Sequence, residues 1–315
     1  MKEWNGGRSR LVIGTRGSRL ALWQAEWVRT RLQELAPDLK IEIQRIRTSG
    51  DKILDVPLAK IGGKGLFVKE IEEALLQKGV DIAVHSMKDV PSALPSGLAI
   101  LCVPPREDPR DAWIGKDHVT LTHLKAGSRV GTSSLRRQAQ LFSHRGDITI
   151  GMLRGNLDTR LRKLQEGEFD AIVLAAAGLK RLGWEDQITE FLDPDVSLPA
   201  IGQGALGIEG RKDDDFVRRL LVPLNHHETH VAVSAERALL ARLEGGCQVP
   251  IAGHAVVERD SVMVRGLVAS VDGKRVIRDR VTGPTGEASR LGEMLAERLL
   301  RAGGDKILNE IYGRL

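Results

Sequence analysis

Hydrophobic and polar residues change their spacing several times along the first two-thirds of the chain. Residues 11–15 form a short apolar run, which is typical of a buried strand. Ser18 is a good N-cap for the amphipathic stretch that follows, so we expect a helix to about Ala36, ended by Pro37. Residues 41–46 alternate with period two, which predicts a second strand.

The same alternation continues beyond a loop at residues 48–65. Residues 66–78 are amphipathic and precede Gly79, so they predict a helix with a glycine at its end. Residues 81–85 predict a third strand, which leads directly into the segment SMKDVP at 86–91. A second block begins near residue 106, and in it we expect a helix to about 144, a strand at 148–153, a helix at 156–165 and a strand at 170–176.

Two short motifs occur twice, in the same order. GTRGS at residues 14–18 and GTSS at 131–134 each precede a predicted helix, and DIAV at 81–84 is similar to DAIV at 170–173. These echoes indicate two similar α/β lobes, with coincidence between short motifs as the alternative. Alternating strands and helices favour mainly parallel sheets, which bind ligands beyond the carboxyl ends of their strands.

The last part of the chain has a different pattern. Residues 227–243 predict a helix, residues 253–257, 262–269 and 274–281 predict strands, and residues 287–301 predict a final helix. Strands grouped together and followed by a helix indicate a small α+β domain. The domain division that we predict is 1–104 with 200–224 as the first lobe, 105–199 as the second lobe and 225–315 as the α+β domain.

Charge and composition narrow the choice of partner. A chain of 315 residues indicates two or three domains, and its net charge of +5 favours an anionic partner. Only 3% of the residues are aromatic, so there are few platforms on which nucleic-acid bases could stack. The basic residues are rich in arginine and scattered, which suits several separate carboxylate contacts better than a nucleic-acid surface.

The sequence predicts a cytoplasmic protein. Its first eight residues lack the apolar segment of a signal peptide, and the longest apolar run, 171–177, is too short to span a bilayer. Cys102 and Cys247 are the only cysteines, which does not suggest a disulfide framework. No group of histidines, cysteines and acids has metal-ligand spacing, so we expect no metal site.

Arginines recur where predicted strands meet helices. A helix N-terminus has free N–H groups and the positive end of the dipole, and arginine binds carboxylates through two bonds at once. A bound carboxylate would offset the cost of placing a positive side chain there. Any one of these arginines could be a solvated surface residue, but their recurrence favours a carboxylate site. The arginines concerned are Arg16, Arg136, Arg137, Arg154 and Arg160.

Two further residues are candidates for the chemistry. Asp89 follows a predicted strand, where an ionised acid could bind N–H donors or stabilise a developing cation; the alternative is a turn aspartate before Pro91. Cys247 lies after two glycines in the loop EGGCQVP, which exposes a thiol for nucleophilic attack or covalent attachment. The alternative is an inert, half-buried cysteine, and Cys102 is expected in the core.

The glycine-rich loop at residues 48–65 is a candidate lid, and it carries Lys60 and Lys64 towards its end. An ordinary surface loop is the alternative.

Together these segments resemble the porphobilinogen deaminase family, also called hydroxymethylbilane synthases. The resemblance extends over nearly the whole chain, and the order and number of the segments make it specific. The matching segments are RGSRLA at 16–21, HSMKDVP at 85–91, GTSSLRR at 131–137, LRGN at 153–156 and EGGCQVP at 244–250.

The resemblance implies an α/β fold of two periplasmic-binding-protein-like lobes with mainly parallel sheets, plus a small C-terminal α+β domain. It implies a dipyrromethane cofactor bound to Cys247 through a thioether. Four porphobilinogen molecules are added to it in turn, each with release of ammonia, and the product is hydrolysed off as hydroxymethylbilane.

The resemblance also implies roles for individual residues. Asp89 matches the catalytic aspartate, which also contacts the cofactor. Further cofactor contacts are matched by Lys88, Ser134, Arg136, Arg137, Arg154 and Arg160. Substrate contacts are matched by Arg16, Ser18, Arg154, Arg160, Arg181 and Gln203. Lys60 and Lys64 match residues near the cleft and would belong to the lid.

A non-catalytic, two-lobed binding protein for a carboxylate-rich small molecule is the main alternative. Such a protein would need neither a reactive Cys247 nor an acid at Asp89. A nucleic-acid-binding protein is a more distant alternative, which a steep salt dependence of DNA affinity would support. We expect a monomer that binds porphobilinogen and neither nucleic acid nor membrane.

Overall fold

The structure is a computed structural model that describes residues 8–52, 68–243 and 249–313. The described chain divides into two compact units. The first unit comprises 8–52, 68–106 and 205–230, and the second comprises 107–204, 231–243 and 249–313. The three-domain division stays a prediction.

Strands and helices alternate as the changes in hydrophobic period indicate. The strands are β1 (Arg10–Thr15), β2 (Lys40–Arg45), β3 (Ile82–Ser86), β4 (Leu98–Cys102), β5 (Asp111–Gly115), β6 (Arg129–Gly131), β7 (Thr149–Gly151), β8 (Ala171–Ala175), β9 (Glu190–Phe191), β10 (Leu206–Arg211), β11 (Ile251–Glu258), β12 (Ser261–Ala269) and β13 (Val276–Pro284). The helices are α1 (Arg19–Leu35), α2 (Ser49–Lys52), α3 (Lys69–Leu76), α4 (Leu135–His144), α5 (Leu157–Gln165), α6 (Ala176–Arg181), α7 (Asp215–Leu221), α8 (His227–Arg242), α9 (Ala288–Leu299) and α10 (Asp305–Tyr312).

The sheet of the first unit has the strand order β2-β1-β3-β10-β4. Strands β1, β2 and β3 are parallel, and β10 is antiparallel to both β3 and β4. Four of the five strands therefore point the same way, and β10 alone is reversed. Both faces are covered, because α1 and α7 pack on one side with Ile13, Val84 and Ile208, while α3 packs on the other with Val12 and Ala83. The prediction of a mainly parallel sheet is confirmed here.

A sheet in the second unit repeats this topology, with the order β7-β6-β8-β5-β9 and β5 as the single reversed strand. The repeated DIAV and DAIV motifs occupy equivalent places. The Asp81 side chain accepts a bond from the Val12 amide at 2.8 Å, and the Asp170 side chain accepts one from the Arg129 amide at 2.7 Å. The inference of two similar α/β lobes from these echoes is thus confirmed.

A three-stranded antiparallel sheet, β11-β12-β13, completes the second unit. Helix α9 packs on β12 and β13, with Leu295 and Leu299 fully buried. Gly292 lets α8 approach closely, since a Cβ there would lie 2.1 Å from the Ala235 carbonyl oxygen. Strands followed by a helix match the predicted α+β pattern.

Several predicted boundaries are wrong. The strand predicted at 148–153 covers only Thr149–Gly151. The strand predicted at 170–176 covers Ala171–Ala175, and α6 begins at the next residue. Strand β10 was not predicted, because Glu209 and Arg211 break the apolar pattern although both are buried. Cys102 is fully buried as expected, and burial raises the pKa of its thiol to about 12. None of the helices in the described ranges is long and apolar enough to cross a membrane.

Candidate active site

A pocket in the first unit lies where β1 and β3 end and α1 begins. Ser18 caps α1 by accepting a hydrogen bond from the Ala21 amide at 3.2 Å, as its sequence position indicates. Asp89 belongs to a 3₁₀ turn, Met87–Asp89, directly after β3. The residues lining the pocket are Arg16, Ser18, Leu20, Ala21, Gln24, Val68, Val84, His85, Ser86 and Asp89. The structure therefore brings three of the predicted site residues, Arg16, Ser18 and Asp89, into one pocket.

Two polar contacts form the inner wall of this pocket. The Gln24 amide nitrogen donates to the Ser86 hydroxyl at 2.9 Å, which ties α1 to the end of β3. His85 Nε2 lies 2.9 Å from Glu209 Oε2, and the two side chains are only 3% and 1% exposed. Polar side chains of Gln24, His85 and Ser86 thus line part of this pocket and are held by hydrogen bonds, which fits a site for a charged ligand.

A buried carboxylate organises the predicted arginines of the second unit. Asp111, at the start of β5, has no exposed surface. Arg136 Nη1 lies 2.8 Å from Asp111 Oδ2, and Arg137 Nη2 lies 2.7 Å from Asp111 Oδ1. Both arginines are in the first turn of α4, whose N-cap is Ser134. The cost of positive side chains at this helix end is therefore offset by a protein carboxylate.

Asp111 accepts further bonds from residues outside α4. The Ser197 hydroxyl donates at 2.7 Å and the Gln203 amide donates at 2.9 Å. Burial alone would raise the pKa of Asp111, but the charges and hydrogen bonds of Arg136 and Arg137 hold it well below its usual range. Asp111 is therefore ionised, and its carboxylate links Arg136, Arg137, Ser197 and Gln203 in the second α/β lobe.

Arg154 and Arg160 lie at the N-terminus of α5. Arg154 is half-buried, and its Nε is buried without a hydrogen-bond partner among the described residues. Arg160 donates from Nε to the Gly155 carbonyl at 2.9 Å. Gly155 has φ +105°, a conformation that favours glycine, and Asn156 caps α5 without a side-chain bond. The junction therefore offers an unsatisfied guanidinium N–H beside a helix N-terminus.

Arg181 bonds to the residue that follows Gln203, in another part of the same unit. Arg181 Nη2 donates to the Gly204 carbonyl at 2.7 Å, and burial lowers the pKa of Arg181 to about 10 although Glu107 opposes the shift. Gly204 has φ +86°, and a Cβ there would lie 2.3 Å from the Glu107 carbonyl oxygen. The turn next to Gln203 is therefore closed tightly against Glu107.

The comparisons with known proteins identify the family. The model described as "Porphobilinogen deaminase, dipyromethane cofactor binding domain" matches residues 11–262, and "Porphobilinogen deaminase, C-terminal domain" matches residues 230–301. The chain belongs to the porphobilinogen deaminase family. A porphobilinogen deaminase of Trichlorobacter lovleyi is 57% identical over 97% of both chains, and one of Syntrophotalea carbinolica is 59% identical over 95% of both.

Family membership gives the activity of the chain. The protein is a transferase of tetrapyrrole biosynthesis. It condenses four porphobilinogen molecules stepwise on a covalent dipyrromethane cofactor and releases hydroxymethylbilane. The alternative of a non-catalytic binding protein is therefore set aside. Among solved structures, the periplasmic aliphatic sulphonate binding protein SsuA from Escherichia coli is 15% identical, with a TM-score of 0.41, and the match covers 75% of this chain and 71% of that one.

Some residues predicted from the porphobilinogen deaminase resemblance are not in these clusters. Cys247, Lys60 and Lys64 lie outside the described residues, so their roles stay predictions. Lys88 is half-buried in the turn that also holds Asp89.

Sequence reasoning missed Asp111, His85 and Glu209. Two adjacent arginines in the first turn of a predicted helix were a signal for a nearby acid, although not for which acid. His85 stands in the HSMKDVP segment beside Asp89, so its place at a strand end could have drawn attention to it.

Proposed function

We propose that Asp89 is the catalytic residue of the condensation and that Arg16 and Ser18 hold the incoming porphobilinogen beside it. The pocket at the N-terminus of α1 supports this proposal, because Asp89, Arg16 and Ser18 all line it beside the positive end of the helix dipole. Porphobilinogen has two carboxylates and an aminomethyl group that leaves as ammonia. An ionised acid beside the carbon that loses ammonia stabilises the positive charge developing there.

Arg154 and Arg160 bind carboxylates of the substrate and the cofactor. The buried Nε of Arg154 supports this role, since a buried donor without an acceptor costs about 1–3 kcal/mol that a bound carboxylate removes. The N-terminus of α5 adds the positive end of a helix dipole. Arg181 and Gln203 are the further substrate contacts at the closed turn by Gly204.

Arg136 and Arg137 contact the cofactor while they remain paired with Asp111. A guanidinium has five N–H donors, and Arg137 uses Nε and Nη2 for Asp111 and Nη1 for the Val173 carbonyl. Donors remain on Nη1 and Nη2 for a ligand carboxylate. Asp111 thus fixes the direction in which both arginines present these donors, and Ser134 and Lys88 complete the cofactor contacts.

The dipyrromethane cofactor fits this set of residues, because its acetate and propionate side chains are anions and the described arginines at helix N-termini supply positive charge and an unsatisfied donor. Cys247 holds it through a thioether. When bound, the cofactor supplies the free pyrrole carbon on which the first addition takes place. Covalent attachment keeps the growing chain at high effective concentration beside Asp89.

The protein acts as a cytoplasmic monomer on porphobilinogen, without nucleic acid or membrane. Light scattering during size-exclusion chromatography tests this state, and a stable dimer at assay concentration would contradict it.

Replacing Arg154 by leucine tests the carboxylate site. We expect KM for porphobilinogen to rise about 10- to 100-fold, since one charge-assisted hydrogen bond contributes about 1.5–3 kcal/mol. Steady-state kinetics and the mass distribution of enzyme–substrate complexes report the loss. Arg162→Leu is the control, because Arg162 lies on α5, is exposed and pairs with Glu166, and it should leave KM unchanged. Equal effects of the two substitutions would refute the assignment.

A further inference from the structure

A second group of titratable side chains lies behind the Asp89 pocket. His85 on β3 and Glu209 on β10 are bonded through Nε2 and Oε2 at 2.9 Å. They project from the same face of the sheet, because Gly207 pairs with His85 and Glu209 stands two positions further along β10. His85 also lines the pocket that contains Asp89. A buried histidine–carboxylate pair thus connects the pocket with the interior.

Glu72 adds a second carboxyl group to this pair. It comes from α3, which packs against β3 and β10, and only 8% of its surface is exposed. Burial and the charge of Glu209 raise the pKa of Glu72 to about 7, while His85 acts in the opposite direction. Oε1 of Glu72 and Oε1 of Glu209 are both buried without a hydrogen-bond partner in the part of the chain that the structure describes. The carboxyl group of Glu72 can therefore hold a proton near neutral pH.

Other charged groups surround His85, Glu209 and Glu72, and several of them are paired with one another. The other charged side chains on or next to the elements packed around them are Arg10 on β1, Asp81 directly before β3, Arg211 on β10, Arg16 and Asp89 at the pocket, Lys88 in the turn, and Lys69, Glu70 and Glu73 on α3. Arg211 pairs with Asp81 at 3.2 Å and Arg10 pairs with Glu42 at 2.6 Å. The charges acting on Glu72 are those of Glu209 and His85.

The reaction requires a proton acceptor. Each addition joins the aminomethyl carbon of porphobilinogen to the free α-carbon of the growing chain. The C–N bond breaks and ammonia leaves with the electron pair, while the C–H bond of the α-carbon breaks and releases a proton. Because the aminomethyl group enters as an ammonium, transfer of that proton to ammonia balances the cycle, with ammonium as the product. One proton must therefore be taken up and given away in every addition.

We propose that His85, held by Glu209 and coupled to Glu72, accepts this proton at the Asp89 pocket and passes it to the departing ammonia or to water. The inference rests on the proposed placement of the chemistry at Asp89. Glu209 fixes the orientation of the imidazole through the contact between Nε2 and Oε2, and Glu72 is coupled electrostatically to both side chains. Asp89 then remains ionised throughout the cycle, opposite the developing positive charge.

The first test uses the Cys247→Ala protein, so that it does not depend on turnover. Its His85 imidazole is followed by ¹H–¹⁵N NMR as pH changes. We expect an inflection near pH 7 that reports Glu72. Glu72→Gln should remove the inflection, and Glu73→Gln, on the exposed side of the same helix, should keep it. If the pH dependence of the His85 signals is the same in Glu72→Gln as in the parent protein, the two side chains are not coupled and the proposal is overturned.

The second test is the pH profile of kcat in Glu209→Gln. Glutamine at position 209 replaces the carboxylate that holds the His85 imidazole at 2.9 Å, so the shape of the pH profile should change. We expect kcat to fall about 10- to 100-fold, within the range of general base catalysis, with KM within about twofold of the wild type. The thermal melting curve shows whether the variant is folded. A folded variant whose profile keeps the wild-type shape would overturn the proposal.

The role of Asp89 in the chemistry and the role of His85 as proton acceptor can be contradicted separately. If Asp89→Asn is inactive while Glu209→Gln and Glu72→Gln keep wild-type pH profiles, the proton acceptor is wrong and the role of Asp89 stands. If Asp89→Asn turns over normally, the placement of the chemistry is wrong, and the NMR titration alone decides whether the three side chains are coupled.

Discussion

Replacing Asp89 by asparagine is expected to lower kcat at least about 100-fold, which is the usual effect of removing one group that stabilises transition-state charge. Asparagine keeps the size of the side chain but loses the negative charge opposite the carbon from which ammonia departs. The fold should persist, because Asp89 is half-buried in a turn rather than in a core cluster. Single-turnover release of ammonia, measured on protein whose cofactor content is checked by mass, gives the result.

Asp38→Asn is the matched control, because Asp38 is an exposed aspartate between α1 and β2. It should leave kcat unchanged. Turnover of Asp89→Asn within about threefold of the wild type would correspond to less than about 1 kcal/mol of lost stabilisation and would remove Asp89 from the mechanism.

The largest loss of stability is expected from Asp111→Asn. This substitution leaves the buried Arg136 and Arg137 without their counter-charge, and breaking a buried ion pair in this way costs about 3–5 kcal/mol. Chemical denaturation with a probe in the second unit measures the change. Asp147→Asn removes an exposed partner of Arg145 and should cost less than about 1 kcal/mol. Equal losses of unfolding free energy in the two variants would contradict a stabilising role of the buried Asp111 ion pairs.

The contribution of Asp111 to the free energy of unfolding decreases as the pH falls. The pKa of Asp111 is held low in the folded protein, whereas in the unfolded chain it is about 3.9. Its stabilising effect is therefore complete above about pH 5 and is lost as pH falls, because the unfolded chain then binds a proton that the folded protein does not. The difference in unfolding free energy between the wild type and Asp111→Asn should narrow in acid, and a difference independent of pH would contradict this.

Hydrophobic period and helix caps predicted most elements of the two α/β lobes. The cap at Ser18, the strand that precedes Asp89 and the repeated Asp81 and Asp170 motifs depend on neighbouring residues, and such local signals are present in a single sequence. Arg16 and Asp89 were each predicted to follow a strand, and because parallel strands end at the same edge of a sheet, such positions are consistent with the pocket that both residues line.

Pairings between distant segments could not be predicted in this way. Glu209 lies 124 residues from His85, and their contact depends on the reversed strand β10 being inserted beside β3. The polar residues that break the apolar pattern of β10 are the ones that acquire buried partners. Asp111 likewise contacts Arg136 only after β5 and α4 have packed, so the adjacent arginines in the sequence could indicate a nearby acid but not which acid it is.

The mass of the purified protein after denaturation tests the central claim most directly. The account predicts an excess over the sequence mass that corresponds to two linked pyrrole units, retained in Cys102→Ala and lost in Cys247→Ala. Since these are the only two cysteines of the chain, the pair of variants assigns the thioether without ambiguity. A wild-type protein that gains no such mass after incubation with porphobilinogen, or a Cys247→Ala protein that still carries it, would contradict the account.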